Sequence, residues 1–364
     1  MTCSAGHDVS RYLSSQLRAT QLQPDVSICI FSASFVLAPL VRTVPQSYAL
    51  KYYFYHRSFS TLIRTRCLII QFEINIPSNL HPRYITMIRS TEVDGVALIV
   101  GSGSGIGKEA AFSLAEAGAR VVVFADMNEN TATASSEESK KYASRHDYQT
   151  SVFKMNVEDE KAVQDMVDFV VAEYGCLDYC VNGAGVDNGT HTPLAETDIE
   201  NFDRIMHINT RGNLLCVRTQ AAAMWKQTPK TWTSRSGTRD IGRGVIVNIA
   251  SANSFAGLPG KGSYTISKHA AMAITKMSGL DHSADGIRVN AVCPTWVRTP
   301  LLDEELRKNP EVQEIISAVC PIKRAAECEE VSDAVTFLCS PAASYVNGAA
   351  LIIDAALTTT LRLF

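Results

Sequence analysis

The sequence lacks three features: paired metal-ligand or disulfide spacings, an excess of charge of one sign, and a membrane-length hydrophobic run. Its ten cysteines are scattered with no CxxC pair, so neither a zinc or other metal site nor a disulfide framework is expected, and a reducing compartment is the default. Its 34 Lys and Arg residues nearly balance 37 Asp and Glu residues, giving a formal net charge of -3. Without a basic domain, electrostatic binding of nucleic acid is not expected.

Residues 1–91 form an irregular extension without a repeating hydrophobic period. Its apolar run over residues 26–41 has 16 residues, whereas a membrane-spanning helix needs about 20. Arg11 and Arg18 lie among several serines, which is weakly similar to a targeting peptide. We expect the extension to be poorly ordered or to serve in targeting. We expect a cytoplasmic protein without a stable membrane partner, and leave a mitochondrial or membrane-anchored location open because of residues 1–41.

Residues 92–364 alternate between short β-branched runs and amphipathic stretches. This alternation is typical of βαβ units, so the fold class predicted is α/β, with a doubly wound, Rossmann-type parallel sheet of seven strands. A polar, basic stretch at residues 226–243 predicts a long surface loop. Strands are predicted at residues 96–100, 120–125, 151–155, 177–181, 244–249, 287–292 and 350–353, with helices that include 106–117 and 160–174.

The first predicted strand runs into a glycine-rich turn with Gly101, Gly105 and Gly107, followed by a predicted helix. Glycines let the backbone approach a pyrophosphate, whose charge the free N–H groups of a helix N-terminus can bind. Taken alone, such a motif is often only a tight turn. Its place between the first strand and its helix predicts a dinucleotide site that includes Ser104 and Ile106.

Asp126 ends the second predicted strand, 19 residues after Gly107. A carboxylate at this place can accept hydrogen bonds from the adenosine ribose hydroxyls, and it repels a 2′-phosphate. Residues 102–104 and 127 contain no Arg or Lys to offset that repulsion. NAD is therefore expected rather than NADP, while a helix-capping role for Asp126 is the alternative.

Tyr264 and Lys268 are four residues apart on a predicted helix, so their side chains share one face. A neighbouring ammonium is expected to lower the pKa of the tyrosine toward that of a general acid–base group. The YxxxK spacing alone is close to a chance match. Ser251, 13 residues before Tyr264 at a predicted strand end, makes the pattern specific and predicts a proton-transfer site.

In order, these motifs resemble those of the short-chain dehydrogenase/reductase family over residues 94–356, and stretches 253–261 and 293–300 are similar to those of its fungal members. Residues 101–107 match the family's TGxxxGIG turn. Asn182, Ala184 and Gly185 match its NNAG strand end. The resemblance implies hydride transfer between NAD(H) and a small or medium, fairly apolar secondary alcohol or ketone, in a homodimer or homotetramer.

The resemblance also implies the role of each site residue. Tyr264 would exchange the proton and Lys268 would also bind the nicotinamide ribose. Ser251 would orient the substrate oxygen, and Asn209 would position a water molecule for proton relay. Further cofactor contacts are implied for Asn156 and Val157 near the adenine, and for Pro294, Val297 and Thr299 near the nicotinamide.

The sequence departs from the family pattern at several supporting positions, which include Val100, Gly183, Asn156, Thr295 and the Asp-Ala-Ala at 354–356 in place of Asp-Gly-Gly. None of these changes touches the proton-transfer groups. Two alternatives stay open: an NADPH-dependent ketoreductase of secondary metabolism, and an inactive nucleotide-binding scaffold or sensor. The substrate pocket is expected to have loop-like walls at residues 186–193, 252–262 and 296–322.

Overall fold

The computed structural model describes residues 91–187, 189 and 191–359. The predicted extension therefore lies outside the described residues, except for Thr91. The same is true of the apolar run at 26–41 and of Arg11 and Arg18.

The central feature of the described chain is a parallel sheet of seven strands, as predicted. The strand order is β3-β2-β1-β4-β7-β8-β9, so the order reverses between β1 and β4. Open α/β sheets bind ligands at such a reversal, beyond the carboxyl ends of the strands. The strands are β1 (Val96–Val100), β2 (Val121–Asp126), β3 (Gln149–Lys154), β4 (Tyr179–Asn182), β5 (Lys230–Ser234), β6 (Gly237–Gly242), β7 (Gly244–Ile249), β8 (Ile287–Pro294) and β9 (Ala350–Ile353).

Helices cover both faces of this sheet. They are α1 (Gly105–Glu116), α2 (Glu129–Ser139), α3 (Glu160–Tyr174), α4 (Ile199–Met206), α5 (Asn213–Trp225), α6 (Gly262–Asp281), α7 (Pro300–Lys308), α8 (Val312–Val319) and α9 (Cys328–Cys339), with a π-helical turn at His207–Gly212 between α4 and α5.

Strand β1 shows why the sheet is buried on both faces. Val96, Leu98 and Val100 pack toward α3 and α5, whereas Ala97 and Ile99 pack toward α1 and α9. All five residues are at most 1% exposed. Full burial of a large aliphatic side chain stabilises the fold by about 1.5–3 kcal/mol. A continuous apolar strand is therefore what a doubly wound sheet requires.

Several element ends differ from the sequence prediction by one or two residues, because hydrogen bonds rather than hydrophobicity define a strand. Leu177 is buried, yet its N–H donates to the side-chain oxygen of Gln227 at 2.6 Å and not to a neighbouring strand. Gln149 and Thr150 are polar, yet they pair with Val121 and Val122 of β2. The prediction thus began β4 too early and β3 too late.

The predicted surface loop at 226–243 is wrong in part, because β5 and β6 form an antiparallel hairpin there. The turn between them has two residues, and Gly237 adopts a φ of 105°. Thr233 and Thr238 lie opposite each other with their hydroxyls 2.8 Å apart, and Arg239 ties the hairpin to the chain after α9. Alternating threonines and a glycine turn are the signals that the polar composition concealed.

The expectation of loop-like pocket walls is also wrong for residues 296–322, which contain α7 and α8. Thr299 caps α7 by accepting a hydrogen bond from the N–H of Leu302 at 3.3 Å, and Pro300 is its first residue. Both are standard helix-start signals.

Two alanines after β9 adopt a left-handed backbone. Ala355 has a φ of 49° and Ala356 a φ of 66°, a region that costs a residue with a Cβ about 1–2 kcal/mol. The Asp354 carboxylate holds this turn by accepting hydrogen bonds from the N–H groups of Ala356, at 2.9 Å, and Thr358, at 2.7 Å. These alanines stand where the resemblance expects glycines, so the departure from the family pattern stores backbone strain.

We predict that Ala356→Gly raises the free energy of unfolding by about 1 kcal/mol, because glycine adopts a positive φ without a Cβ clash. Urea unfolding of the full chain measures the change. The matched control is Ala134→Gly at an exposed position of α2, where the same substitution should destabilise by about 1 kcal/mol. Equal destabilisation by both substitutions would contradict the strain at Ala356.

Candidate active site

A large cavity of about 860 Å³ opens at the carboxyl edge of the sheet, where the strand order reverses. Its walls come from the segments that follow β1, β2, β3, β4, β7 and β8 and from α6, α7 and α8. One end of the cavity contains the glycine-rich turn and Asp126, and the other contains Ser251, Tyr264 and Lys268. The fold therefore brings the predicted cofactor and catalytic residues to one cavity.

The glycine-rich turn has a geometry that only glycine adopts easily. Gly101 and Gly105 have φ values of 81° and 57°. A Cβ at Gly107 would overlap the carbonyl oxygen of Gly101, so α1 approaches the end of β1 as closely as the backbone allows. The cavity wall at this point consists largely of backbone, with Ser104 and Ile106 beside the glycines.

The N-terminus of α1 is free to bind an anion. Ser104 makes no side-chain capping hydrogen bond, and the first turn carries no acidic residue. By contrast, Asp159 and Asp198 cap α3 and α4 with their carboxylates, and each of those first turns contains a glutamate. Unpaired N–H groups and the positive end of the helix dipole then face the cavity. This arrangement fits the pyrophosphate of a nicotinamide dinucleotide.

Asp126 lies at the end of β2 and borders the same cavity. Its carboxylate accepts hydrogen bonds from the N–H groups of Gly103 and Asn128, both at 2.9 Å. The cap of α2 is Asn128, which accepts from the N–H of Thr131. The alternative reading of Asp126 as a helix cap is therefore wrong, and its carboxylate remains available beside the turn.

The other predicted cofactor residues divide into two groups. Asn182 does not border the cavity: its amide bonds to Gln220 and Asn248 at 3.0 Å in a buried polar network. The sequence located this strand end correctly but could not show that the asparagine points into the core. The residues that do border the cavity are Asn156, Val157, Ala184, Gly185, Pro294, Val297 and Thr299.

Ser251, Tyr264 and Lys268 converge at the other end of the cavity. Ser251 follows β7, and its hydroxyl accepts a hydrogen bond from the N–H of Asn253 at 3.1 Å. Tyr264 and Lys268 lie one turn apart on α6, with the Lys268 Nζ 5.5 Å from the centre of the Tyr264 ring. Lys268 is only 7% exposed, and its Nζ donates to the carbonyl oxygen of Ile249 at 2.9 Å.

The electrostatics of this pair correct one expectation from the sequence. The pKa of Tyr264 is raised above its usual value of 10.0 by burial and by the negative charges of Asp187 and Glu305, although a hydrogen bond to Ser251 opposes the shift. Burial lowers the pKa of Lys268 to about 8. Desolvation therefore outweighs the lowering of the phenol pKa expected from the ammonium.

Asn209 lies in the π-helical turn and does not border the cavity. Its side-chain oxygen accepts from the N–H of Val186 at 2.8 Å, and its amide donates to the carbonyl oxygen of Val186 at 2.8 Å. The amide also contacts the hydroxyl of Ser267 at 3.1 Å. The side chain thus fixes the segment after β4, and it does not present its amide to the cavity as the predicted water-positioning role suggested.

The sequence analysis missed a charged cluster at the catalytic end of the cavity. The Lys261 Nζ lies 2.6 Å from the Asp187 carboxylate and 2.9 Å from the Glu305 carboxylate. All three residues border the cavity. They come from three segments that are far apart in the chain, so no local spacing marks them. Only the folded arrangement could have shown that they meet.

Two further features concern the whole described chain. Among its residues, no group of three or more His, Cys, Asp or Glu side chains is arranged to hold a metal ion. In the same part of the chain, no helix combines the length and apolar character needed to cross a bilayer.

A family model described as "Enoyl-(Acyl carrier protein) reductase" matches residues 100–358. A short-chain dehydrogenase of the fungus Penicillium roqueforti is 38% identical over 271 residues, which cover 74% of this chain and 98% of the relative.

Solved structures with the same fold carry either nicotinamide cofactor. A 7α-hydroxysteroid dehydrogenase in complex with NADH and 7-oxo glycochenodeoxycholic acid is 28% identical, with a TM-score of 0.63 over 74% of this chain and 96% of that one. A gluconate 5-dehydrogenase from Burkholderia cenocepacia, in complex with NADP and tartrate, is 27% identical, with a TM-score of 0.66 over 76% and 100%.

We predict that the free energy of unfolding of the cofactor-free protein contains a rising contribution from Lys268 between pH 7 and pH 10. The folded pKa is about 8 and the ordinary value is 10.5, so in this range the unfolded chain binds more protons than the folded one. The linked gain is about 2–3 kcal/mol by pH 10. Urea unfolding of wild type and Lys268→Met at both pH values measures this gain. The difference in free energy of unfolding between the two proteins should be smaller at pH 10 than at pH 7.

The control for this experiment is Lys276→Met, which removes an exposed ammonium from the same helix. Its difference from wild type should stay nearly constant over the same pH range. A constant difference for Lys268→Met as well would show that the Lys268 ammonium is not desolvated in the folded protein.

Proposed function

Because this chain belongs to the short-chain dehydrogenase/reductase family, we propose that it transfers a hydride between NAD(H) and a secondary alcohol or ketone. The family acts on alcohol groups with a nicotinamide cofactor. The observation that carries the finer proposal is the meeting of Ser251, Tyr264 and Lys268 at one end of the cavity that contains the glycine-rich turn at its other end. A hydride donor and a proton donor can thus reach one substrate.

The roles of the side chains follow from their surroundings. The raised pKa of Tyr264 keeps its phenol protonated at neutral pH, so it can donate a proton to a carbonyl oxygen in the cavity. Ser251 holds the same oxygen by a hydrogen bond. Lys268 supplies a positive charge beside the phenol as the proton leaves. When bound, the nicotinamide accepts or supplies the hydride.

NAD is the cofactor that Asp126 favours. Its carboxylate lies beside the turn and can accept hydrogen bonds from ribose hydroxyls, whereas a 2′-phosphate there would meet a negative charge. Met127 follows it, 70% exposed, without a cation in its place. An NADPH-dependent ketoreductase of secondary metabolism is the second candidate, since the chain resembles a fungal relative and since related structures hold NADH or NADP.

The substrate end of the cavity favours a largely apolar compound. Trp296, Leu301, Leu302, Ile315 and Val319 all border it, and apolar walls bind apolar surface by excluding water. A catalytically idle scaffold or sensor would not need the proton-transfer groups at this end, so their presence supports an enzyme.

We also propose a homodimer or homotetramer, because α6 exposes Ile266, Met277 and Leu280 to between 41% and 70%. Light scattering at micromolar concentration measures the assembly. A cytoplasmic location is supported by the free state of all seven cysteines in the described part of the chain, since a reducing compartment keeps thiols free. Cell fractionation tests that location.

We predict that Tyr264→Phe lowers the turnover number by a factor of about a hundred to ten thousand, because it removes the proton donor. NAD affinity should change less than about twofold, since the phenol oxygen is not part of the dinucleotide turn. Steady-state assays with NADH against a panel of ketones, together with fluorescence titration of NAD, measure both quantities. Tyr345→Phe, at a fully exposed tyrosine, is the control, and turnover of Tyr264→Phe within tenfold of wild type would exclude Tyr264 as the proton donor.

We predict that the double variant Asp126→Ser, Met127→Arg shifts the ratio of kcat/KM for NADP to that for NAD upward by at least about tenfold. The change removes the carboxylate that repels the 2′-phosphate and adds a guanidinium that binds it. Met127→Arg alone is the control, because it retains the carboxylate and should shift the ratio much less. If wild type already prefers NADP, Asp126 does not select the cofactor.

A further inference from the structure

The charged cluster of Lys261, Asp187 and Glu305 lies in the same cavity as the apolar side chains of Trp296, Ile315 and Val319. The Lys261 side chain is 3% exposed, and the two carboxylate side chains are 11% and 14% exposed. His191 extends the cluster, with its Nε2 3.1 Å from the Glu305 carboxylate. Burying charged groups costs free energy unless they are well paired, so their position at the cavity wall requires an explanation.

The cluster connects three separate walls of the cavity. Asp187 lies in the segment after β4, Lys261 immediately precedes α6, and Glu305 lies on α7. A neighbouring hydrogen bond reinforces the link, because the Asn309 amide donates to the carbonyl oxygen of Gly189 at 2.7 Å. Since the pairs hold α7 against the body of the domain, the Glu305 carboxylate has a fixed position.

The two oxygens of Glu305 are used unequally. The Lys261 ammonium lies 2.9 Å from Oε1, and the His191 ring nitrogen Nε2 lies 3.1 Å from the same oxygen. Oε2 makes no hydrogen bond to any residue in the described part of the chain. Glu305 borders the cavity, and an ionised carboxylate can only accept hydrogen bonds. A positioned acceptor is therefore left open at the substrate end.

The surroundings of Glu305 show what kind of compound can use this acceptor. Its charge contributes to the raised pKa of Tyr264, so it lies within electrostatic range of the phenol. Trp296, Ile315 and Val319 form apolar walls of the same cavity. A ligand that contacts both the phenol and Glu305 would have an apolar body between two polar groups.

We propose that Glu305 is a specificity-determining residue whose Oε2 accepts a hydrogen bond from a substrate hydroxyl remote from the reacting carbon. This proposal rests on the proposed function and names its substrate class: a neutral hydroxylated ketone, or the corresponding diol, with an apolar body. Lys261 and His191 act through Glu305, since they hold its carboxylate and leave one oxygen open.

A matched pair of neutral ketones tests the proposal. 4-(Hydroxymethyl)acetophenone and 4-ethylacetophenone have nearly the same size and differ by one hydroxyl. Isothermal titration calorimetry of the full chain with saturating 1,4,5,6-tetrahydro-NAD, repeated with its NADP counterpart, measures their Kd without turnover, because this cofactor analogue neither gives a hydride to a ketone nor accepts one from an alcohol. Wild type should bind the hydroxymethyl compound about ten times more tightly, since a hydrogen bond to a charged acceptor is lost with the ethyl compound.

Three variants locate the source of this preference. Glu305→Met removes the acceptor and should bring the two Kd values to within about twofold of each other. Glu305→Gln retains an uncharged acceptor and should retain an intermediate preference, of about threefold. Glu304→Met is the control, because the exposed Glu304 pairs instead with Lys308 at 2.7 Å on the same helix, and it should keep the wild-type ratio.

Because both Kd values are measured on the same variant, a general loosening of α7 would weaken the binding of both ketones alike. The ratio of the two Kd values would then stay unchanged. Equal affinities in wild type, no binding of either ketone, or an undiminished preference in Glu305→Met would each overturn the proposal. If Glu305→Met does not fold, an undiminished preference in Glu305→Gln overturns it instead. Failure of the proposed function would be distinct, since it would appear as the absence of hydride transfer in the assays while the binding ratio could still be measured.

Discussion

The close approach of α1 to the end of β1 is the constraint on which the cofactor end of the site depends. A side chain at Gly107 would overlap the carbonyl oxygen of Gly101, so any larger residue would displace the helix from the strand. Because the approach is kept, the uncapped N-terminus of α1 points into the cleft at the reversal of strand order. The hydrogen bond from Gly103 to Asp126 then ties the next strand to the same turn. The backbone, more than any side chain, thus defines the binding surface.

The catalytic end depends on buried charged side chains, whereas the cofactor end depends on the backbone. Lys268 borders the cavity and donates a hydrogen bond to the carbonyl oxygen of Ile249, and burial lowers its pKa to about 8. The same desolvation keeps the phenol of Tyr264 protonated. Such groups lower the stability of the fold. In the proposed reaction they have a use, because a protonated phenol beside a buried ammonium can donate its proton to a carbonyl oxygen in the cavity.

Sequence reasoning succeeded where the signal was local and failed where it depended on side-chain direction or distant partners. The strand and helix pattern, the glycine turn and the pair of Tyr264 and Lys268 lie within short windows, and the structure brings them together. The positions of Asn182 and Asn209 were found, yet both amides bond within the fold and neither borders the cavity. The hairpin at 226–243 was missed because its polar composition hid alternating threonines.

Helix α7 explains why a sequence of this kind indicates its chemistry more readily than its substrate. Its cap, Thr299, packs beside Gly105 at the cofactor turn, since a Cβ on that glycine would lie 3.2 Å from the Thr299 methyl group. Six residues further on, the same helix carries Glu305, which also borders the cavity. The start of the helix thus packs beside the glycine-rich turn, whereas Glu305 further along it belongs to the charged cluster. The pairing of Glu305 with Lys261 and His191 joins residues from separate segments, so the features that select a substrate are visible only in the folded chain.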